Sequence, residues 1–102
     1  MIIARLWHGV TTRENASQYE ELLRGEILPG IHRVEGYRGA YLLARDVPEG
    51  AEFVTLTLFE SMDAVRRFAG DDLEKAVVPE QARRLLARFD SRSVHYSVLL
   101  EP

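Results

Sequence analysis

The chain has 102 residues, enough for one compact domain with a real core and too few for two. Its 46% hydrophobic and 28% charged content is that of an ordinary globular protein, which removes the disordered, collagen-like and membrane-spanning classes. A formal net charge of −3 gives no basic field for phosphate backbones and argues against nucleic-acid binding, while the absence of cysteine excludes disulfides, thiolate metal sites and cysteine nucleophiles. The arginine pairs Arg66-Arg67 and Arg83-Arg84 are interleaved with acids and read as solvated helix faces. Met1 to Arg5 does not read as a signal peptide, so the expected location is the cytoplasm.

In chain order, Ile2 to Val10 is dense in apolar residues and too short for a helix, which makes it a first strand. Thr11 to Asn15 is a polar break in which Thr12 or Asn15 can cap a helix. That helix carries Tyr19, Leu22, Leu23, Ile27 and Ile31 at spacings of three and four, with Pro29-Gly30 interrupting it. A second strand follows over Tyr37 to Arg45, and Asp46 to Gly50 makes a turn. The third strand, Glu52 to Glu60, has two apolar sides: Val54, Leu56 and Leu58 point one way, and Phe53, Thr55, Thr57 and Phe59 the other. Both faces of this strand are therefore expected to be covered. The aliphatic set is expected to meet the chain's own helices, and the mixed set a second subunit.

Ser61 is expected to cap a short helix that turns Val65, Phe68 and Ala69 inward and closes at Gly70. Asp71, with Glu74 three residues on, has the pattern of a second helix start, so the Asp71-Asp72 pair reads as capping rather than metal binding. Pro79 breaks or bends that segment. Beyond it, Ala82, Leu85, Leu86 and Phe89 form a further helical stripe, and a last strand runs from Ser93 to Leu100. The order strand-helix-strand-strand-helix-strand predicts an α+β fold of the ferredoxin-like split type, a four-stranded antiparallel sheet with helices on one face. A single domain spans 1–102.

Chemistry narrows to a few residues. His95 lies in a strand, where burial would favour a neutral imidazole able to act as base or hydrogen-bonding group. Arg5 and Trp7 share one face of the first strand, which the ferredoxin-like order places beside the last, so His95 comes near them. An arginine there balances a carboxylate or enolate, and an indole stacks on a flat ring. Tyr37, Tyr41, Phe59 and Phe68 are expected as apolar walls of the same pocket. His8, His32 and His95 are scattered, with no paired spacing and no carboxylate cluster, so no metal is expected; no glycine-rich loop follows a strand to hold a nucleotide.

The run Phe53-Val54-Thr55-Leu56-Thr57-Leu58-Phe59-Glu60-Ser61 leading into Met62-Asp63-Ala64-Val65-Arg66-Arg67-Phe68, together with the ending Val94-His95-Tyr96-Ser97-Val98, resembles antibiotic biosynthesis monooxygenase-type domains. The resemblance covers nearly the whole chain and implies a dimeric α+β barrel, in which two ferredoxin-like sheets pack face to face. It also implies a cofactor-independent monooxygenase-type reaction on a small aromatic or polyketide-like molecule, with no cofactor, a homodimer as partner state and a small aromatic ligand. Members often carry glutamate and tryptophan near the end of the third strand, where this chain has Thr57 and Phe59, and a histidine closing the next helix, where it has Phe68-Ala69-Gly70. Trp7 and His8 lack the asparagine of the haem-degrading branch, which disfavours that activity. The alternative expectation is a non-catalytic dimeric module that binds a small ligand or serves as a structural partner. A cleft between helices and sheet that exposes Arg5 or His95 favours the enzyme; a filled core favours the module.

Overall fold

The structure is a computed structural model describing residues 1–102. Strand β1 (Ile3–Thr11) leads through Thr12, whose side chain accepts from the Asn15 amide, into helix α1 (Arg13–Leu22). A π-helical turn, Leu23–Ile27, joins it to the short α2 (Leu28–Ile31). Pro29 thus does not end the helix as its sequence suggests, because it sits in the first turn of α2, where no backbone N–H is required. Strands β2 (Tyr37–Val47) and β3 (Gly50–Phe59) form a hairpin closed by Pro48-Glu49. Helix α3 (Met62–Ala69) begins at Ser61, whose Oγ accepts from the Ala64 amide, and ends at Gly70 with φ 88°.

The second half of the chain departs from expectation between Asp71 and Phe89. No helix starts at Asp71: residues 70–79 form an irregular strap, with one bridge from Lys75 to Arg92. Asp72 spends its carboxylate on Arg92 rather than on a helix terminus, and the Leu73 and Lys75 carbonyls are drawn inward by Arg5. Helix α4 (Glu80–Leu85) follows Pro79 directly, and the expected stripe through Leu86 and Phe89 is instead strand β4 (Leu86–Phe89). Strand pairing overrides the helical period there, since β4 finds the free edge of β1 at Gly9 to Thr11. β5 (Val94–Ser97) pairs with the other half of that edge, Ile3 to Leu6.

The sheet order is β2-β3-β1, with β4 and β5 sharing the far edge of β1. This is the expected ferredoxin-like arrangement with its last strand split in two, and the helices pack on one face. The face they cover is the reverse of the expectation. Phe53 and Phe59, not the Val54-Leu56-Leu58 set, meet the helices: Phe53 packs with Tyr19, Leu23 and Ala82, and Phe59 with Ile31, Ala64 and Val65. Two aromatics six residues apart on one face of β3 anchor two separate clusters. Between them β3 contributes only Thr55 and Thr57, side chains too short to reach the helices, and a space remains.

Candidate functional site

That space is a cavity of about 60 Å³ between sheet and helices, opening beside a wider groove of about 340 Å³ along α2 and the strap. Its floor is Arg5, Trp7, Thr55 and Thr57; its roof is the π-helical turn with α2; and Phe68, Val77, Val78 and Pro79 wall one side. Sheet register explains the floor, because Arg5 pairs with Thr57 and Trp7 with Thr55, so all four side chains emerge on the helix side.

Arg5 is 4% exposed and makes three hydrogen bonds: Nη1 donates to the Leu73 carbonyl at 2.6 Å and to His95 Nε2 at 2.8 Å, and Nη2 donates to the Lys75 carbonyl at 2.8 Å. The Phe68 ring lies 5.5 Å from the guanidinium carbon, within cation–π range. Thr57 Oγ1 donates to the Arg5 carbonyl at 3.4 Å. Burial holds the guanidinium below its ordinary pKa, with the charge of Glu74 opposing. His95 sits opposite Arg5 in the β1–β5 register, as the strand order anticipates. A guanidinium only donates, so Nε2 accepts and the neutral ring carries its proton on Nδ1. Burial first, and then the positive charge of Arg5, lower the His95 pKa from its ordinary 6.5, with Glu74 opposing.

The other expected site residues divide. Trp7 lines the cavity, tied down by its Nε1 donating to the Asp90 carbonyl at 2.7 Å and tilted against Phe89 at 5.9 Å. Phe68 lines it too. Phe59 stands behind Phe68, ring centres 5.8 Å apart, and Tyr37 packs edge-on against Phe59 at 5.7 Å; both support the wall without forming it. Tyr41 does not join them. The alternation expected to put Tyr37 and Tyr41 on one face is broken by a bulge at Arg38: Tyr37 pairs with Phe59 but Gly39 with Leu58, so Tyr41 turns to the outer face, 57% exposed.

Sequence reasoning missed the strap residues Val77 to Pro79, because the acidic start at Asp71 suggested a helix there, and it assigned Thr55 and Thr57 to the wrong face. Tyr19 and Leu23 were legible as helix core and prove also to roof the cavity; burial pushes the Tyr19 phenol pKa up, so it remains protonated. No group of three or more His, Asp or Glu side chains is placed to hold a metal ion, and no helix is long and apolar enough to cross a membrane.

A family model described as antibiotic biosynthesis monooxygenase matches residues 3–79, a span that contains Arg5, Trp7 and Phe68 but not His95. Among solved structures, Rv0793 from Mycobacterium tuberculosis matches with a TM-score of 0.68 at 18% identity, covering 99% of this chain and 98% of that one. A monooxygenase, ActVA-Orf6 of Streptomyces coelicolor, solved in complex with the ligand nanaomycin D, matches with a TM-score of 0.55 at 19% identity over 99% and 92% of the two chains. SnoaB, a cofactor-independent oxygenase from Streptomyces nogalater, matches with a TM-score of 0.56 at 12% identity over 98% and 93%. At these identities the likeness is one of fold. No curated protein matches the chain.

Proposed function

We propose that this chain, which belongs to the antibiotic biosynthesis monooxygenase family, is a cofactor-independent monooxygenase-type enzyme that takes a small aromatic or polyketide-like substrate into the cavity between its sheet and helices. The observation that carries the reading is Arg5, a buried cation on the floor of a mostly apolar, aromatic-walled cleft. A cleft of this kind, rather than a filled core, favours the enzyme over a structural module. In the proposed chemistry the substrate gives a methylene proton to solvent and enters as its enolate, whose carbon bonds to dioxygen; the peroxide anion takes up a proton and the resulting hydroperoxide loses water to leave a carbonyl, so that one oxygen atom enters the substrate and the other leaves as water. Arg5 stabilises the oxyanion, Trp7 and Phe68 hold the ring, and the apolar lining excludes water. His95 is the positioning residue: its Nε2 is engaged by Arg5 and fixes the direction of the guanidinium.

The same reading includes a homodimer. Tyr41, Leu43, Val94 and Tyr96 are each 48% exposed or more on the sheet face opposite the helices, and Leu6, Val54, Leu56 and Leu58 lie half-buried among them. The strand register makes these residues neighbours, and a contiguous apolar sheet face suits an isologous contact with a second copy, which would close the face-to-face barrel.

Oxygen uptake with a panel of anthrones and quinols tests the activity. Turnover by the wild type that falls at least about a hundredfold in Arg5→Gln, the scale of losing one oxyanion donor, is the expected result. Absence of uptake across the panel, with the substrates shown to bind, overturns the catalytic reading in favour of a ligand-binding module.

A further inference from the structure

We infer that the molecule held in this cavity is an anion, an oxyanion attached to a small apolar body, and that Arg5 selects it. The inference rests on the reading of the cavity as a ligand site. Arg5 is 4% exposed, yet no carboxylate stands within ion-pair distance of it: its partners are the Leu73 and Lys75 carbonyls and His95 Nε2, all neutral. Glu74, whose field reaches it, is exposed and lies 3.5 Å from Arg92. A buried charge with only neutral partners is expensive, and the arrangement is completed by an anion rather than by another dipole. The guanidinium has the donors for it, since only three of its five N–H groups are used.

The remaining lining agrees. No Asp or Glu side chain borders the inner cavity, so nothing there repels a negative group; the one acid on the adjoining groove, Glu26, is not part of the inner lining. Nor does the inner cavity hold a free base. Tyr19 is kept protonated by burial; His95 stands behind Arg5, outside the lining, with its accepting nitrogen spent on the guanidinium. Arg5 is thus the one charged group an anionic ligand would meet there, and the cation holds it in the ionised form. Its apolar body lies against Trp7 and Phe68.

Isosteric pairs that differ in charge provide the test, with the fluorescence of Trp7, the single tryptophan of the chain, as the readout. Benzoate is compared with benzamide, and 2-naphthoate with 2-naphthamide. 4-Nitrophenol under mildly alkaline conditions, compared with 4-nitroanisole, separates an ionised hydroxyl from a carboxylate. The anion of each pair is expected to bind at least about tenfold more tightly, the usual scale of a charge-assisted hydrogen bond. The preference should vanish in Arg5→Gln and survive in part in Arg5→Lys. Equal affinity for anion and amide in the wild-type protein overturns the inference while leaving the cavity a ligand site, and this comparison stands even if the Arg5 variants do not fold. A preference that persists in Arg5→Gln removes Arg5 as its cause. Failure of every member to perturb Trp7 overturns the ligand-site reading and this inference together.

Discussion

Arg5 and His95 act as one unit. Their neighbourhood follows from strand register, Arg5 opposite His95, and their chemistry from burial, which disfavours charge on both. The imidazole accepts a hydrogen bond from the guanidinium, so protonating it would break that bond and place two cations in contact. His95 should therefore titrate below 6.5 in an NMR titration of the native protein, and its value should rise in Arg5→Gln, which removes the second of the two lowering causes. The sign for stability follows from linkage. With the folded value depressed, the unfolded chain binds the proton first, so the contribution of His95 is fully present above the unfolded value near 6.5 and is lost as pH falls through the folded one. Urea unfolding at a series of pH values checks this: His95→Gln should flatten the decline just below pH 6.5, between the unfolded and the folded value, and an unchanged slope would assign the loss to other groups.

At the scale of elements, the capped ends were readable because capping is local chemistry: Thr12, Ser61 and Gly70 do what their residue types prescribe. The β2–β3 hairpin shows a stricter local demand. Gly50 has φ 149°, and a Cβ there would collide with the Thr11 carbonyl oxygen and the Arg13 amide nitrogen, main-chain atoms that cannot swing aside. Gly50→Ala should cost more than about 1 kcal/mol, a fall of at least roughly 4 °C in Tm by calorimetry. Gly25→Ala, where nothing lies within 4 Å of the added carbon, should leave Tm unchanged or raise it. Equal effects would mean that the hairpin end yields. Elements whose form depends on distant partners were not readable. Leu86 and Phe89 have helical spacing but complete the edge of β1, and the Asp71 segment has a helix-start pattern but surrenders two carbonyls to Arg5.

For the whole molecule, the two faces of the sheet do different work. The mixed face, with its arginine, tryptophan and threonines, is the one under the helices, where Phe53 and Phe59 pack into the two core clusters. The other face, aliphatic with Tyr41 and Tyr96 among its exposed residues, is left open. In the proposed homodimer Tyr96 and Leu43 lie on that contact surface, at opposite edges of the sheet. Sedimentation velocity should find the wild type dimeric at micromolar concentration and Tyr96→Glu or Leu43→Glu monomeric, with cavity-facing Trp7 fluorescence unchanged. A monomeric wild type would remove the barrel from the proposal.

From the sequence alone come the order of elements, the capped helix ends, the ferredoxin-like topology and the meeting of Arg5 with His95, because each depends on local period, local hydrogen bonding or the adjacency of strands that topology imposes. The tertiary structure alone decided which sheet face the helices cover, where the bulge at Arg38 sends Tyr41, and that Thr55 and Thr57 leave a cavity between Phe53 and Phe59. The reason is physical: a period of two distinguishes the two faces of a strand but does not rank them. The ranking comes from volume, from which set of side chains the helices can close over while leaving Arg5 its partners, and that is a sum over contacts far apart in the chain.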